Sequence, residues 1–178
     1  MAAFIAIDPA TYQTGVAYFN GSRLVDHWLI TVKQGTEIEE RIKAIVGELE
    51  KIAVAHSEIR EVVCEKLPTM SGRAPSPEVV TLIRRLKKWA TKGTVTQGHR
   101  FVWSEYHPST IVASVRPRGF NKPGESLRDK SSKELMALGV NLLYSVDANV
   151  YDQNVIDAIA VGHCHVSKTY EAELLSNY

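Results

Sequence analysis

The chain has 178 residues, 44% hydrophobic and 23% charged, a composition that predicts one globular domain spanning residues 1–178 and excludes disordered, collagen-like and coiled-coil classes. The net charge of +1 conceals a basic middle, since residues 66–133 hold 14 lysines and arginines against four acidic residues; this indicates an anionic partner or, alternatively, a solvated charged face. No apolar run is long enough to span a bilayer, the start lacks signal-peptide features, and Cys64 and Cys164 form no CxxC pair, so we expect a cytoplasmic protein with reduced thiols and no membrane partner.

The first 32 residues predict an antiparallel β-meander. Residues 4–7 are a short β-prone run that stops at Asp8-Pro9, and residues 15–19 form a second run. Asn20-Gly21 is a strong hairpin-turn signal, and residues 24–32 follow it as a third strand.

Helices and strands alternate in the middle of the chain. A helix is predicted from apolar residues that recur every three or four positions, with Thr36 or a neighbour as its N-cap: Ile38, Ile42, Ile45, Leu49 and Ile52. Residues 61–65 indicate a short buried strand, which we expect to lie parallel to the first because it follows a helix. Ser76-Pro77 is a helix-start signal, so residues 78–92 are expected to form a second helix before a strand at 100–105.

The last third of the chain is mostly helical. His107-Pro108 opens a short helical stretch, and residues 116–130 form a loop rich in Pro, Gly and basic residues. Ser131 or Ser132 caps a further helix, and residues 155–166 form an Ala/Val/Ile-rich helix. The whole order predicts an α/β domain whose first three strands are antiparallel and whose later strands arrive by helical crossovers.

Three carboxylates occupy positions that a fold normally avoids. Asp8 and Glu65 each end an apolar strand, and Asp157 lies inside an apolar helix. Burying a lone carboxylate costs several kcal/mol unless it is paired or coordinates a cation. Since the first and fourth strands should be neighbours, we expect the three to converge on Mg²⁺ or Mn²⁺, with two ions per site. A simple turn at Asp8 and a salt bridge from Glu65 to Lys66 or to a distant arginine stay open as structural alternatives.

These segments also resemble a known family. FIAIDPATYQTG at residues 4–15 resembles the first strand and turn of RuvC-type Holliday junction resolvases, which belong to the ribonuclease H-like superfamily. VVCE at 62–65 is similar to their second acidic strand, and DAIAVGHCH at 157–165 to their C-terminal acidic helix. FVWSEY at 101–106 and DKS at 129–131 fall where the family has its fifth strand and lysine-led helix. The resemblance covers nearly the whole chain and implies a mixed five-stranded ribonuclease H-like sheet flanked by helices.

The resemblance further implies a crossover junction endodeoxyribonuclease, a homodimer that nicks four-way DNA junctions symmetrically with divalent metal. Asp8, Glu65 and Asp157 match the metal-binding carboxylates of the family. Asn154 stands where the family has a further ligand, usually Asp, so one metal should bind more weakly; Asp152 is an alternative ligand that helix phase disfavours. The match of Lys130 to a lysine near the scissile phosphate implies that it stabilises transition-state charge.

A wider set of residues is implied to contact DNA. Phosphate contacts are expected from the basic loop, a wedge at the junction centre from Met70, and further contacts from the second predicted helix, where the dimer of the family forms. The residues are Met70, Arg73, Arg84, Lys88, Arg116, Arg118, Lys122 and Arg128. His163-Cys164-His165 is not interpreted as a metal cluster, because adjacent residues on a helix point in different directions.

Parts of the sequence also fit other function classes. A related nuclease could act on RNA or hybrids, and Asn154 motivates a junction-binding protein with weakened catalysis. A sugar-kinase or actin-like ATPase also begins its phosphate loop with Asp and contains Thr-Gly. That class needs a second, duplicated domain, for which 178 residues leave no room.

Overall fold

The structure is a computed structural model that describes residues 1–67, 75–92, 100–117, 130–147 and 149–176. Its elements follow the predicted order, and the short stretch after His107 is a full helix. They are β1 (Ala3–Asp8), β2 (Gln13–Asn20), β3 (Arg23–Thr31), α1 (Ile38–Ala55), β4 (Ile59–Glu65), α2 (Pro77–Lys92), β5 (Val102–Tyr106), α3 (Pro108–Val115), α4 (Ser132–Tyr144) and α5 (Gln153–Ser176).

The five strands form one mixed sheet in the order β3-β2-β1-β4-β5. β1 pairs antiparallel with β2, which pairs antiparallel with β3, whereas β1, β4 and β5 run parallel to one another. The predicted fold class is therefore confirmed. Because β1, β4 and β5 are parallel, their carboxyl ends meet at the same edge of the sheet.

Each face of the sheet is covered by its own group of helices, because side chains alternate along a strand. Ile5, Ile7 and Val62 pack into a core shared with α1 and α2. The opposite face, which includes Ala6 and Val63, packs against α3, α4 and α5. Asp8 and Glu65 lie two residues beyond Ala6 and Val63, so this alternation turns both carboxylates toward the face covered by α5.

Side chains cap most of the predicted helix starts, with one correction. The Ser76 hydroxyl accepts a hydrogen bond from the Val79 backbone N–H (3.3 Å), and Ser131 caps α4 in a capping box with Glu134. α1 differs from the expectation of a cap at Thr36 or a neighbour: its N-cap position is Glu37, whose side chain makes no capping hydrogen bond, and Thr36 lies one residue before it. The Thr36 hydroxyl donates instead to the carbonyl of Lys33 at 2.8 Å, which stabilises the preceding turn.

α2 separates an apolar side from a basic one. Arg84 and Lys88 are exposed, as predicted, whereas Trp89 is buried in the core with its ring 5.4 Å from that of Phe101. Trp89 therefore stabilises the fold of the single chain.

The cysteines and the hydropathy of the helices can be compared with the expectations from composition. Cys64 and Cys164 are buried free thiols. Within the described ranges, no helix combines the length and the apolar character that crossing a membrane requires.

Candidate functional site

Asp8 and Glu65 end adjacent strands at the same edge of the sheet. Asp8 is the last residue of β1 and lies opposite Gly15 of β2. Glu65 is the last residue of β4, directly after the pair formed by Ile7 and Cys64. Both side chains are only partly exposed. The strand ends thus bring together two carboxylates that are distant in sequence.

A glycine lets α5 approach this edge closely. A Cβ atom on Gly15 would lie 1.9 Å from the backbone oxygen of Asn154, so the first turn of α5 lies directly against β2. Asp157 follows one turn later and accepts a hydrogen bond from the Gln153 side-chain amide at 2.6 Å. Since Gly15 pairs with Asp8, the same contact fixes α5 beside the Asp8 carboxylate.

Burial and neighbouring carboxylates raise the pKa values of Asp8, Glu65 and Asp157. Burial, followed by the charges of Asp157 and Glu65, raises the pKa of Asp8 to about 8. Burial and then the charge of Asp157 raise the pKa of Glu65 to about 7, and burial is the main cause that raises the pKa of Asp157. At neutral pH the group therefore retains protons that a bound cation would displace.

Asp152 and Asn154 form the first turn of α5. The backbone carbonyl of Asp152 accepts hydrogen bonds from the N–H groups of Val155 and Ile156, and its Oδ1 accepts two from Asn154. Asp152 is therefore the N-cap of α5. Its charge also raises the pKa of Asp8, after larger contributions from other groups.

Lys133, in the first turn of α4, is a functional candidate that sequence patterns did not reveal. Its charge lowers the pKa of both Asp8 and Asp157, against the larger effects that raise them. Lys130 precedes α4, and its charge lowers the pKa of Glu134, after the hydrogen bonds of the capping box. The role of Lys130 at a scissile phosphate therefore stays a prediction.

Helix phase is the signal that could have identified Lys133. Lys133, Ala137, Val140 and Tyr144 recur at helical spacing, and the last three pack into the core that includes α5. The Tyr144 hydroxyl is 2.8 Å from Nδ1 of His163. Lys133 is exposed, but it stands in line with this apolar stripe, on the side of α4 that faces α5.

Two solved structures share the architecture of this chain. "Thermus thermophilus RuvC structure" is 15% identical with a TM-score of 0.69, covering 96% of each chain. "T. thermophilus RuvC in complex with Holliday junction substrate" is 14% identical with a TM-score of 0.68, covering 93% of this chain and 92% of the other. This chain has the RuvC fold. No protein-family model matches the sequence, and no curated protein matches it.

The donor atoms at the RuvC-like sheet edge suit a hard cation. The acidic side chains and Asn154 offer oxygen atoms, which Mg²⁺ and Mn²⁺ prefer. Within the described ranges, Asp8, Glu65 and Asp157 form no ion pair with a basic side chain. The same ranges contain no group of three or more His, Cys, Asp or Glu placed to hold one metal ion. The donor atoms of these residues fit a hard cation by their chemistry.

Of the eight residues expected to contact DNA, three lie within the described ranges. Arg116 is exposed at the end of α3, and Arg84 and Lys88 are exposed on α2. Five expected DNA contacts lie outside the described residues and stay predictions: Met70, Arg73, Arg118, Lys122 and Arg128.

His163 and His165 have different partners, as helix phase predicts. The Tyr144 hydroxyl contacts His163, whereas His165 contacts the Tyr106 hydroxyl at 2.9 Å and Glu61 at 3.3 Å. These contacts join α5 to α4, β4 and β5, so both histidines stabilise the packing of α5.

Proposed function

We propose that this protein is a divalent-metal-dependent endonuclease that cuts four-way DNA junctions by paired symmetric nicks. The observation that carries the proposal is the convergence of Asp8, Glu65 and Asp157, with raised pKa values, at one edge of a RuvC-fold sheet. Branched DNA as substrate is supported by the similar structure described as a RuvC complex with Holliday junction substrate.

Asp8, Glu65, Asn154 and Asp157 would hold two Mg²⁺ or Mn²⁺ ions. Such ions supply a water of lowered pKa and stabilise the leaving oxygen of a phosphodiester. The carboxylates repel one another when they are ionised, and a bound cation would offset that repulsion.

Basic side chains would hold and orient the DNA phosphates. Lys130 and Lys133 are placed before and in the first turn of α4, where they would stabilise charge on the scissile phosphate. Exposed Arg84, Lys88 and Arg116 add contacts that strengthen binding without reading sequence. The five expected contacts outside the described residues would extend this surface.

Paired nicks require two active sites, so the proposal includes a homodimer of one nuclease domain spanning residues 1–178. A junction-binding protein with weakened catalysis is the second candidate. Asn154 favours it, because a neutral amide in place of the family's acidic ligand attracts a cation less strongly.

Incubation of the purified full chain with an end-labelled four-way junction tests the proposal. Linear duplex and RNA–DNA hybrid substrates serve as comparisons, each with Mg²⁺, Mn²⁺ or EDTA. We expect metal-dependent nicks at symmetric positions in the junction. Junction binding without nicks would support the second candidate, and preferential cutting of hybrids would support a nuclease of another substrate class.

Substitution of the carboxylates tests whether DNA cleavage depends on them. Asp8→Asn and Glu65→Gln are expected to lower cutting by about 100-fold or more while junction affinity stays within about 3-fold, since loss of even an outer-shell metal partner costs about 10–100-fold. Glu48→Gln removes an exposed carboxylate on α1 and is the matched control. Undiminished cutting by folded Asp8→Asn would refute the assignment of the site.

A further inference from the structure

The side chains of Asp152 and Asn154 are joined in the first turn of α5. Oδ1 of Asp152 accepts hydrogen bonds from the backbone N–H of Asn154 and from its side-chain Nδ2, both at 2.8 Å. A carboxylate oxygen can only accept, so the amide of Asn154 must turn its NH₂ group toward Asp152. The amide oxygen of Asn154 is thereby left for another partner.

This joined pair lies at the carboxylates rather than on a remote surface. The backbone of Asn154 lies against Gly15, which pairs with Asp8. Asp157 lies one turn further along the same helix. Asp152 and Asn154 are both only partly exposed. Asn154 is therefore placed beside the residues that carry the other oxygen donors at this edge of the sheet.

We propose that Asp152 is a positioning residue that holds Oδ1 of Asn154 as a ligand for the divalent cation. The inference deepens the proposed function and rests on it, because it assigns a role within the same cation site. It also explains how a neutral amide can serve here. The donor orientation is fixed before binding, and the negative charge that Asn154 lacks stands immediately behind it on Asp152.

A double-substitution cycle on Mn²⁺ binding tests the proposal. Mn²⁺ affinity of the full chain without DNA is measured by isothermal titration calorimetry for the native protein, Asp152→Ser, Asn154→Ala and the double variant. Ser is a good N-cap, so Asp152→Ser keeps α5 capped while releasing the amide. Each single substitution is expected to weaken Mn²⁺ binding by about 10-fold.

The cycle separates orientation from charge. If Asp152 acts through Asn154, the double variant is weakened little beyond Asn154→Ala, with a coupling of about 3-fold or more. Independent losses that multiply would show that Asp152 acts only by its charge and would overturn the proposal. Unchanged affinity in Asn154→Ala would overturn it as well.

Two controls keep the outcomes distinct. Asp147 and Asn149 repeat the same hydrogen bonds, each at 2.9 Å, in an exposed turn, so Asp147→Ser is expected to leave Mn²⁺ affinity unchanged. Thermal unfolding of metal-free Asp152→Ser should stay close to that of the native protein. A native chain that binds no Mn²⁺, or binding that Asp8→Asn leaves intact, would instead count against the proposed function.

Discussion

Asp8 destabilises the metal-free fold at any pH at which the unfolded chain would ionise its side chain. Burial and two neighbouring carboxylates raise its pKa to about 8, from 3.8 in an ordinary environment. The folded chain therefore retains a proton that the unfolded chain releases between these pH values. Stability from this group is present at low pH and is lost as pH rises toward 8.

Asp8→Asn should accordingly stabilise the metal-free protein at pH 8 and have little effect at pH 4. We expect a gain of about 1 kcal/mol or more at pH 8, which for a chain of this size is about 2–4 °C in Tm. Thermal unfolding with EDTA at both pH values measures it. An equal effect of the substitution at the two pH values would contradict the origin of the raised pKa.

Lys133 offsets part of this repulsion, because its charge lowers the pKa of Asp8 and Asp157. Lys133→Met should therefore raise the pKa of both groups, as measured by carboxyl ¹³C shifts against pH in the metal-free protein. Lys130→Met is the matched control and should leave both values unchanged. A larger change in the Lys130 variant would assign the site's lysine to position 130.

The contact between β2 and α5 determines where Asp157 stands. A methyl group on Gly15 would overlap the Asn154 backbone, so Gly15→Ala must push α5 away from the sheet. We expect a loss of about 1–3 kcal/mol in unfolding free energy and weaker Mn²⁺ binding. Chemical denaturation and calorimetry measure the two effects.

Gly47→Ala provides the comparison for that substitution. Gly47 lies within α1 with no atom near its missing Cβ, so alanine should raise stability by about 0.5–1 kcal/mol. Equal effects at the two glycines would show that the close approach of α5 does not matter.

Sequence patterns predicted most elements because their signals are local. The continuous apolar run of β1 follows from burial on both faces of the sheet, and the apolar stripe of α1 follows from burial on one side of the helix. α5 extends ten residues beyond the predicted end at 166, because its last turns are largely exposed and lack an apolar pattern. Thr36 does not cap α1 because the N-cap position falls one residue later, at Glu37.

The sequence predicted only part of the candidate site, because sequence patterns report local structure. Asp8 and Glu65 stood out because each ends an apolar strand. The hydrogen bond from Asn154 to Asp152 and the effect of the Lys133 charge on Asp8 were not predicted. Both depend on how the helices pack against the sheet, which hydrophobic periodicity alone does not determine. Tertiary contacts decide which polar residues share a site once each element is known.

For the molecule as a whole, the basic middle of the chain predicts strong salt dependence of junction binding. Each phosphate contact releases counterions and adds about −0.9 to the slope of log affinity against log salt. Arg116→Ala should reduce the magnitude of that slope by about 1. Fluorescence anisotropy with a labelled junction over a salt series measures it.

Arg23→Ala is the control for that measurement. Arg23 is exposed on β3, the edge strand farthest from β5 in the sheet. The slope of this variant should match that of the native chain. Identical slopes for Arg116→Ala and the native protein would remove Arg116 from the DNA-binding surface.

The strand that ends in Asp8 is the middle strand of the sheet, hydrogen-bonded along both sides. Its backbone amides can exchange with deuterium only when the sheet itself opens, so they should be among the slowest in the protein. A cation bound at the C-terminal end of β1 would therefore be held by a rigid part of the backbone. Any adjustment to substrate must then come from the helices and the DNA.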